Sequence, residues 1–494
     1  MAVASIRTDI GSMRQRAARE PESADAHTVL VQALANSGRM CEAWGATLAG
    51  LAQCPGDAAL LGWRDDLRRQ VPQVTLPAGD RWSEAVAQLR IDLQREGEAL
   101  DVSSAINRAR SACGLEDLPR LEALEQALGP DASAWRSTFA SMVDSAARLP
   151  ELLPHGLPVL AQGRSDTLEL TRAQIRALLA AGMLGVFPSQ DWRDLAMPDF
   201  DFGHILVEEL AKCACMLQYF RGTLAQEADL HGELVDFQRN LVLEDSPEAT
   251  VSFWQNSAIK LAEVSILDEG GIEDAAGALQ ADFANEYIGG GVFFSGCVQE
   301  EIRFAVSPEL LVACLLCEVM APNEAVVIAG AQQFSRYAGY GHSFEYAGPW
   351  EDASALDGRR RRDVHVVAFD ALMCVGDFQY QAEGMLRELV KAMAAFQGDQ
   401  HDLPPRRRLA TGNWGSGVFA GDPQLKFLLQ WMACSVSGRD MDYFPFRDPR
   451  MCELRAAVLK WSGSTVGDVW KRILQVHATQ PRKRDASKWK YHRP

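Results

Sequence analysis

The stretch ALQADFANEYIGGGVFFSGCVQEEIRF, residues 278–304, decides how the chain reads. It opens as a short strand pattern (278–285) and passes through Gly289, Gly290 and Gly291. It then enters a helical pattern in which Ile302, Phe304, Val306 and Leu310 follow the acids Glu300 and Glu301. Strand, glycine loop and helix in that order make one unit of an α/β sheet layered by helices. The text on either side repeats the habit. Strand-like runs stand at TVSFWQ (250–255), KLAEVSIL (260–267), AVVIAGA (325–331), DVHVVAFDAL (363–372), RRLATG (407–412) and MDYFPF (441–446). Helical runs lie between several of them, at 308–320, 385–396 and 424–437. Several strands are apolar throughout, as strands covered on both faces are. Ligands of such sheets sit beyond the strand C-terminal ends, which directs attention to the loops after residues 285, 331 and 412.

Further upstream the pattern is helical. ADAHTVLVQALANSGRM (24–40) carries an apolar stripe and CEAWGATLAGLAQCPGD (41–57) repeats it, with Pro21 and Pro55 34 residues apart. That spacing suits tetratricopeptide helix pairs, or equally a generic helical cap. From about Arg81 to Glu227 the helical period continues, as in RWSEAVAQLRIDLQREGEAL (81–100) and LTRAQIRALLAAGMLGVF (170–187), where Thr171 and Gln174 suit an N-cap. The expected domains are a helical N-terminal region (1–80), an all-helical accessory domain (81–245), a catalytic α/β domain (246–480) and a basic tail (481–494).

The 494 residues carry 49 Lys+Arg against 66 Asp+Glu, a formal charge of −17. That balance excludes a general cationic footprint for nucleic acid, and no sequence-specific nucleic-acid partner is expected. It leaves room for a polyanion held in one local pocket. No run approaches the length of a membrane span, and the first residues contain no apolar core of a secretory signal. Eleven cysteines, several within apolar runs, read as buried thiols of a reducing compartment. Cys314 and Cys317 lie on an apolar helix and read as core; no metal site and no cofactor is expected.

Three loops remain to carry chemistry. Glycines accept positive φ and let main chain approach a ligand, and successive N–H groups form an anion nest. Gly289–Gly291 offers this, and so does ATGNWGSGVFAGD (410–422), which runs into a helix start at Pro423. Together they suit a pyrophosphate held by main chain; each alone also suits a plain turn. Gly291 to Gly296 has Walker A spacing, but Cys297 stands where that motif needs lysine. Glu300 and Glu301 stand about 100° apart on a helix, so one acid does the chemistry and the other orients. A carboxyl at the edge of an apolar core is a candidate general acid. Tyr337 and Tyr340 are either stacking platforms for a base or loop anchors.

The triple glycine followed by VFFSGCV and Gln299-Glu300-Glu301 resembles the signature of the poly(ADP-ribose) glycohydrolase family. DFAN before it, SPEL after it, ATGNWG…FAGD, YFPF and TVGDVWK (465–471) extend the likeness over about residues 138–475. The resemblance implies a macrodomain-like α/β/α three-layer sandwich with a mixed sheet behind a helical accessory region. It implies metal-independent hydrolysis of ribose–ribose O-glycosidic bonds with release of ADP-ribose. By the same likeness Glu301 protonates the leaving ribose hydroxyl and then activates water, while Glu300 orients the ribose. Asp282, Phe283, Asn285 and Gln299 match adenine- or ribose-contacting positions, and Gly289, Gly290 and Gly291 the glycine loop. Tyr340 matches an aromatic over the adenine. Asn413, Gly415, Ser416, Gly417, Val418 and Phe419 match the diphosphate loop, and Phe446 an aromatic near the ribose. Phe293 and Phe294 depart from the smaller residues of that family at the loop centre, and Ser416 from the cysteine of animal members. The partners so implied are poly(ADP-ribose), modified proteins that carry it, and the ADP-ribose product, with a protein partner at the N-terminal helices and a nuclear or cytoplasmic setting. The alternative is a reader of ADP-ribose, or a scaffold, without turnover. An intact Gln-Glu-Glu is not needed by a reader.

Overall fold

The computed structural model describes residues 2–94, 101–190, 192, 195–224, 226–373, 376–398, 407–479, 490 and 491. The chain forms two compact units. One comprises Met1–Arg239, Gly291–Val319 and Gln332–Asp352; the other comprises Asn240–Gly290, Met320–Ala331 and Ala353–Pro494. Among the described residues no helix is long and apolar enough to cross a membrane.

The first unit is mainly helical. Helices Ala24–Asn36, Met40–Gln53 and Ala58–Gln70 follow one another through short turns, and Ser23 and Asp57 cap two of them through side-chain oxygens. The start of Met40–Gln53 is pinned by Asp166, whose carboxylate accepts the N–H groups of Cys41 (2.7 Å) and Glu42 (3.2 Å). Asp166 opens strand β1 (Asp166–Thr171), which pairs antiparallel with β2 (Leu234–Leu241), Leu168 facing Phe237. The expectation of an all-helical layer over 81–245 is therefore corrected. DTLELT alternates as a half-buried strand does and finds its partner some 65 residues on. The capping box at Thr171 and Gln174 does form and starts helix Arg172–Met183. Arg172 is fully buried between Glu309 (2.6 Å) and Glu233 (2.8 Å).

Among the described residues the second unit is built on six strands. After β3 (Val264–Ile266) come β4 (Leu279–Asp282) and β5 (Glu324–Ala329). The hairpin β6 (Ser335–Ala338) and β7 (Glu345–Pro349) belongs to the first unit. Then follow β8 (His365–Ala368), β9 (Leu409–Gly412) and β10 (Met441–Phe444). Their order is β5-β8-β4-β9-β10-β3; β5 runs antiparallel to β8 and the other neighbours are parallel. Alternation along the strands separates two faces. Leu279, Leu409, Met441 and Tyr443 join the main core with helices Ala382–Phe396, Pro423–Ser437 and Val466–Thr479. Ala410 and Phe444 turn the other way, to Ile272 and Ala278. One expected strand is corrected: residues 251–256 form helix Val251–Asn256, capped by the Thr250 hydroxyl at Phe253 N–H (3.3 Å). Its β-branched and aromatic residues have strand propensity, but the cap and the burial of Trp254 prevail.

Candidate active site

In the first unit the acid pair stands at the start of helix Gln299–Val306. Ile302, Ala305 and Val306 bury its inner face against Cys215 and Phe344. Glu300 and Glu301 are both buried. Glu301 occupies the third helical position, and its Oε2 accepts the N–H of Val298, the residue before the helix, at 2.9 Å. Its Oε1 accepts the N–H of Gly291 at 3.0 Å. The Gly291–Val298 loop thus closes on one carboxylate through main-chain donors at both its ends. Gly296 completes the fit: a Cβ there would stand 2.8 Å from Glu301 Oε1.

Three contacts hold that loop. Phe293 is buried against Phe202 and Phe200, with ring centroids 5.0 and 5.7 Å away. Its bulk at the loop centre is therefore an anchor, while Phe294 lies half-exposed beside His204. The Cys297 carbonyl accepts the Gly341 N–H (2.8 Å). The Lys212 ammonium donates to the Phe294 carbonyl and lies 3.5 Å from Glu209. Lys212 is 1% exposed. Sequence reasoning passed over it because a lone lysine in AKCACML looks like the solvated edge of an amphipathic helix. Only its interruption of an otherwise apolar run marked it.

Tyr340 and Tyr337 take different roles. Tyr337 packs beside Phe344 at the Cys215–Ile302 cluster and is a loop anchor. Tyr340 leaves 58% of its surface open. Its hydroxyl is the sunken end: burial raises the phenol's pKa, the Gln299 N–H opposes the rise and the negative Glu301 adds to it. The Tyr340 ring thus keeps an open face while its oxygen is turned toward the acid helix.

In the second unit, β4, β9 and β10 are parallel, so Asp282, Gly412 and Phe444 end at one edge of the sheet. Asp282 is fully buried and Phe283 partly so. The Asn285 side chain accepts the Tyr287 N–H (3.0 Å), turning the chain into Gly289 and Gly290. These adopt φ of 91° and 51°, a backbone that favours glycine. After β9, Asn413 is gripped twice: its amide donates to the Pro445 carbonyl (3.0 Å) and its oxygen accepts from the Tyr443 hydroxyl (2.8 Å). Trp414 is buried, its indole N–H on the Phe369 carbonyl (3.0 Å). The loop closes where Gly421 N–H meets the Gly415 carbonyl (2.9 Å). Ser416 is buried, Phe419 partly buried, and Gly417 and Val418 are exposed at the tip. Asp422 caps the next helix and Pro423 starts it. Phe446 lies half-exposed at φ 50°, roughly parallel to Phe444.

Two runs of arginine, at 359–362 and 406–408, include side chains that face acids. Arg361 pairs with Asp357, Arg407 with Asp363, and Arg408 with Asp440 and Asp442. Arg406 lies outside the described residues. Cys314 and Cys317 are buried. Among the described residues no cluster of His, Cys, Asp or Glu is placed to hold a metal ion.

Residues 251–453 match the family described as Poly (ADP-ribose) glycohydrolase (PARG), Macro domain fold, and residues 132–239 its helical domain. The mixed sheet is thus a macro domain fold preceded by a helical domain. A probable poly(ADP-ribose) glycohydrolase 2 of Arabidopsis thaliana is 32% identical over 373 residues, covering 65% of this chain and 71% of that protein. Poly(ADP-ribose) glycohydrolase 1 of the same plant is 31% identical over 401 residues, covering 65% of this chain and 72% of that protein. Poly(ADP-ribose) glycohydrolase 1 of Caenorhabditis elegans is 36% identical over 356 residues, covering 68% of this chain and 43% of that protein. The chain belongs to the poly(ADP-ribose) glycohydrolase family.

Proposed function

We propose that Glu301 carries the proton transfers by which this chain hydrolyses poly(ADP-ribose). Cleaving a ribose–ribose O-glycosidic bond leaves electrons on the departing oxygen and positive charge on the anomeric carbon. A carboxylic acid beside that oxygen supplies a proton as the bond breaks. The resulting carboxylate then takes a proton from the attacking water, so the acid is regenerated and ADP-ribose leaves. One residue serves both steps. Glu300, about 100° away around the helix, is left to hold a ribose hydroxyl. The loop from Asn413 to Phe419 takes the diphosphate on main-chain N–H groups, which suits an anion bound by a chain of net charge −17. Tyr340 stacks on the adenine, Asp282, Phe283, Asn285 and Gln299 address adenine or ribose, and Phe446 packs by the ribose.

The observation that carries this reading is the fixing of both Glu301 oxygens by Gly291 and Val298 N–H groups. A carboxylate so held presents its remaining lone pairs in a set direction. The test is Glu301→Gln, which keeps one acceptor and the shape. Turnover on polymer should fall about 10²–10⁴-fold while ADP-ribose binding, measured by calorimetry, is retained. Wild-type turnover in the variant rejects the assignment. A reader without turnover would release no ADP-ribose from automodified polymer, and mass analysis of the products separates the two.

A further inference from the structure

Beyond the residues matched by the family, a second segment of chain reaches the loop read above as the diphosphate site. Tyr491 is completely buried in the second unit. Its carbonyl accepts the Trp461 indole N–H (2.8 Å), and its hydroxyl lies 2.7 Å from His477 Nε2. His477 stacks on Tyr380, with ring centroids 3.8 Å apart and planes at 18°. Tyr380 in turn donates its hydroxyl to Asp422 (3.0 Å). Lys490 closes the ring with its ammonium on the same carboxylate oxygen of Asp422 (2.8 Å).

Asp422 is the residue on which the glycine loop ends and the Pro423–Ser437 helix begins. Its other oxygen accepts the Gln424 N–H (3.1 Å), and its own N–H donates to Gln379 (2.9 Å). A second route runs in parallel. The Lys490 N–H donates to the Gln424 side chain (2.8 Å), whose amide donates to the Arg450 carbonyl (2.8 Å). The Arg450 guanidinium donates to the carbonyl of Ser416, the second residue of the loop (3.2 Å). Two chains of bonds thus start at Lys490; one ends at Asp422, where the loop leaves off, and one at Ser416, where it begins.

We propose that Lys490, locked in place by Tyr491, is a positioning residue that preorganises the Gly415–Gly421 loop for the substrate diphosphate. The proposal rests on the reading of that loop as the diphosphate site. Main-chain N–H groups bind an anion well only when they already converge, because ordering them on binding consumes affinity. Lys490 touches no reacting atom, so it acts on binding and leaves the acid–base step alone.

The experiment uses the full chain with Lys490→Met, Lys490→Arg and Gly417→Val, and a truncation ending at Ser487. ADP-ribose affinity is measured by calorimetry, and kcat and KM on polymer. Gly417→Val reports on the loop itself: a Cβ there meets nothing within 4 Å, so the fold accepts it. The expected result is a Kd and KM raised about three- to tenfold in Lys490→Met, with kcat within twofold and Lys490→Arg near wild type. The truncation, which also removes the buried Tyr491, should do at least as much. A normal Kd in Lys490→Met beside a weakened Gly417→Val overturns the clamp and leaves the loop reading intact. Normal binding in both overturns the loop reading and the clamp with it. A fall in kcat at unchanged KM in Lys490→Met also overturns the proposal.

Discussion

Two main-chain N–H groups on the two oxygens of one carboxylate leave little play in where its remaining lone pairs point, and at the residue scale this makes small changes costly. Gly296→Ala places a methyl group 2.8 Å from Glu301 Oε1. The carboxylate must turn away, and kcat should fall at least about tenfold, since misplacement by 1 Å costs up to ~10²-fold. Steady-state kinetics beside a thermal melt check this, because the melt should move little. Tyr340→Ala belongs to the same scale and acts on the ground state. It should weaken ADP-ribose binding by about 1–3 kcal/mol, Tyr340→Phe keeping most of it, as calorimetry would read. The acid pair was legible because Gln-Glu-Glu follows a glycine run and precedes an apolar face. The division between the tyrosines was not. Tyr337 and Tyr340 stand three residues apart in the sequence, and only the fold sets the first on β6 beside Phe344 and leaves the second open.

Elements behave differently, because their placement depends on partners far along the chain. Parallel β4, β9 and β10 were readable as apolar runs followed by glycine loops, since both strand faces are covered and the turns need glycine. Residues 166–171 and 251–256 were misread for opposite reasons. The first is a short strand whose partner β2 is distant, and the second a six-residue helix of strand-like composition fixed by its cap. Lys212 shows how one element serves another. Helix Leu210–Leu224 delivers a buried ammonium to the Phe294 carbonyl, steadying the loop that holds Glu301. Lys212→Met keeps the stem and removes the donor. It should lower kcat about tenfold or more, with Lys212→Arg recovering part. Equal kcat in Lys212→Met and wild type would remove Lys212 from the machinery.

At the scale of the whole molecule, charge is paired locally: Arg361 faces Asp357, Arg407 faces Asp363, and Arg408 faces Asp440 and Asp442. One acid gives stability a pH dependence. Burial lifts Asp166 from 3.8 to about 6, against the N–H groups of Cys41 and Thr167 that oppose the rise. Between those values the folded chain binds more protons than the unfolded one, so this residue's contribution falls as pH rises through about 4 to 6. The drop is on the order of 1–3 kcal/mol. Denaturant unfolding of wild type and Asp166→Asn should give a stability difference that changes across that window and is flat above about pH 7. A difference independent of pH from 4 to 7 would contradict this. The chain passes between its two units five times, after Arg239, Gly290, Val319, Ala331 and Asp352. A ribosome that has delivered the first 239 residues has therefore not delivered a finished helical unit. Arg172 is waiting for Glu309, and β6 and β7 are still to be translated. The nascent helices must wait 70 further codons, with Arg172 half-paired, for Glu309, and 40 more for the end of β7. Expressing residues 1–239 as a separate fragment would make that wait permanent.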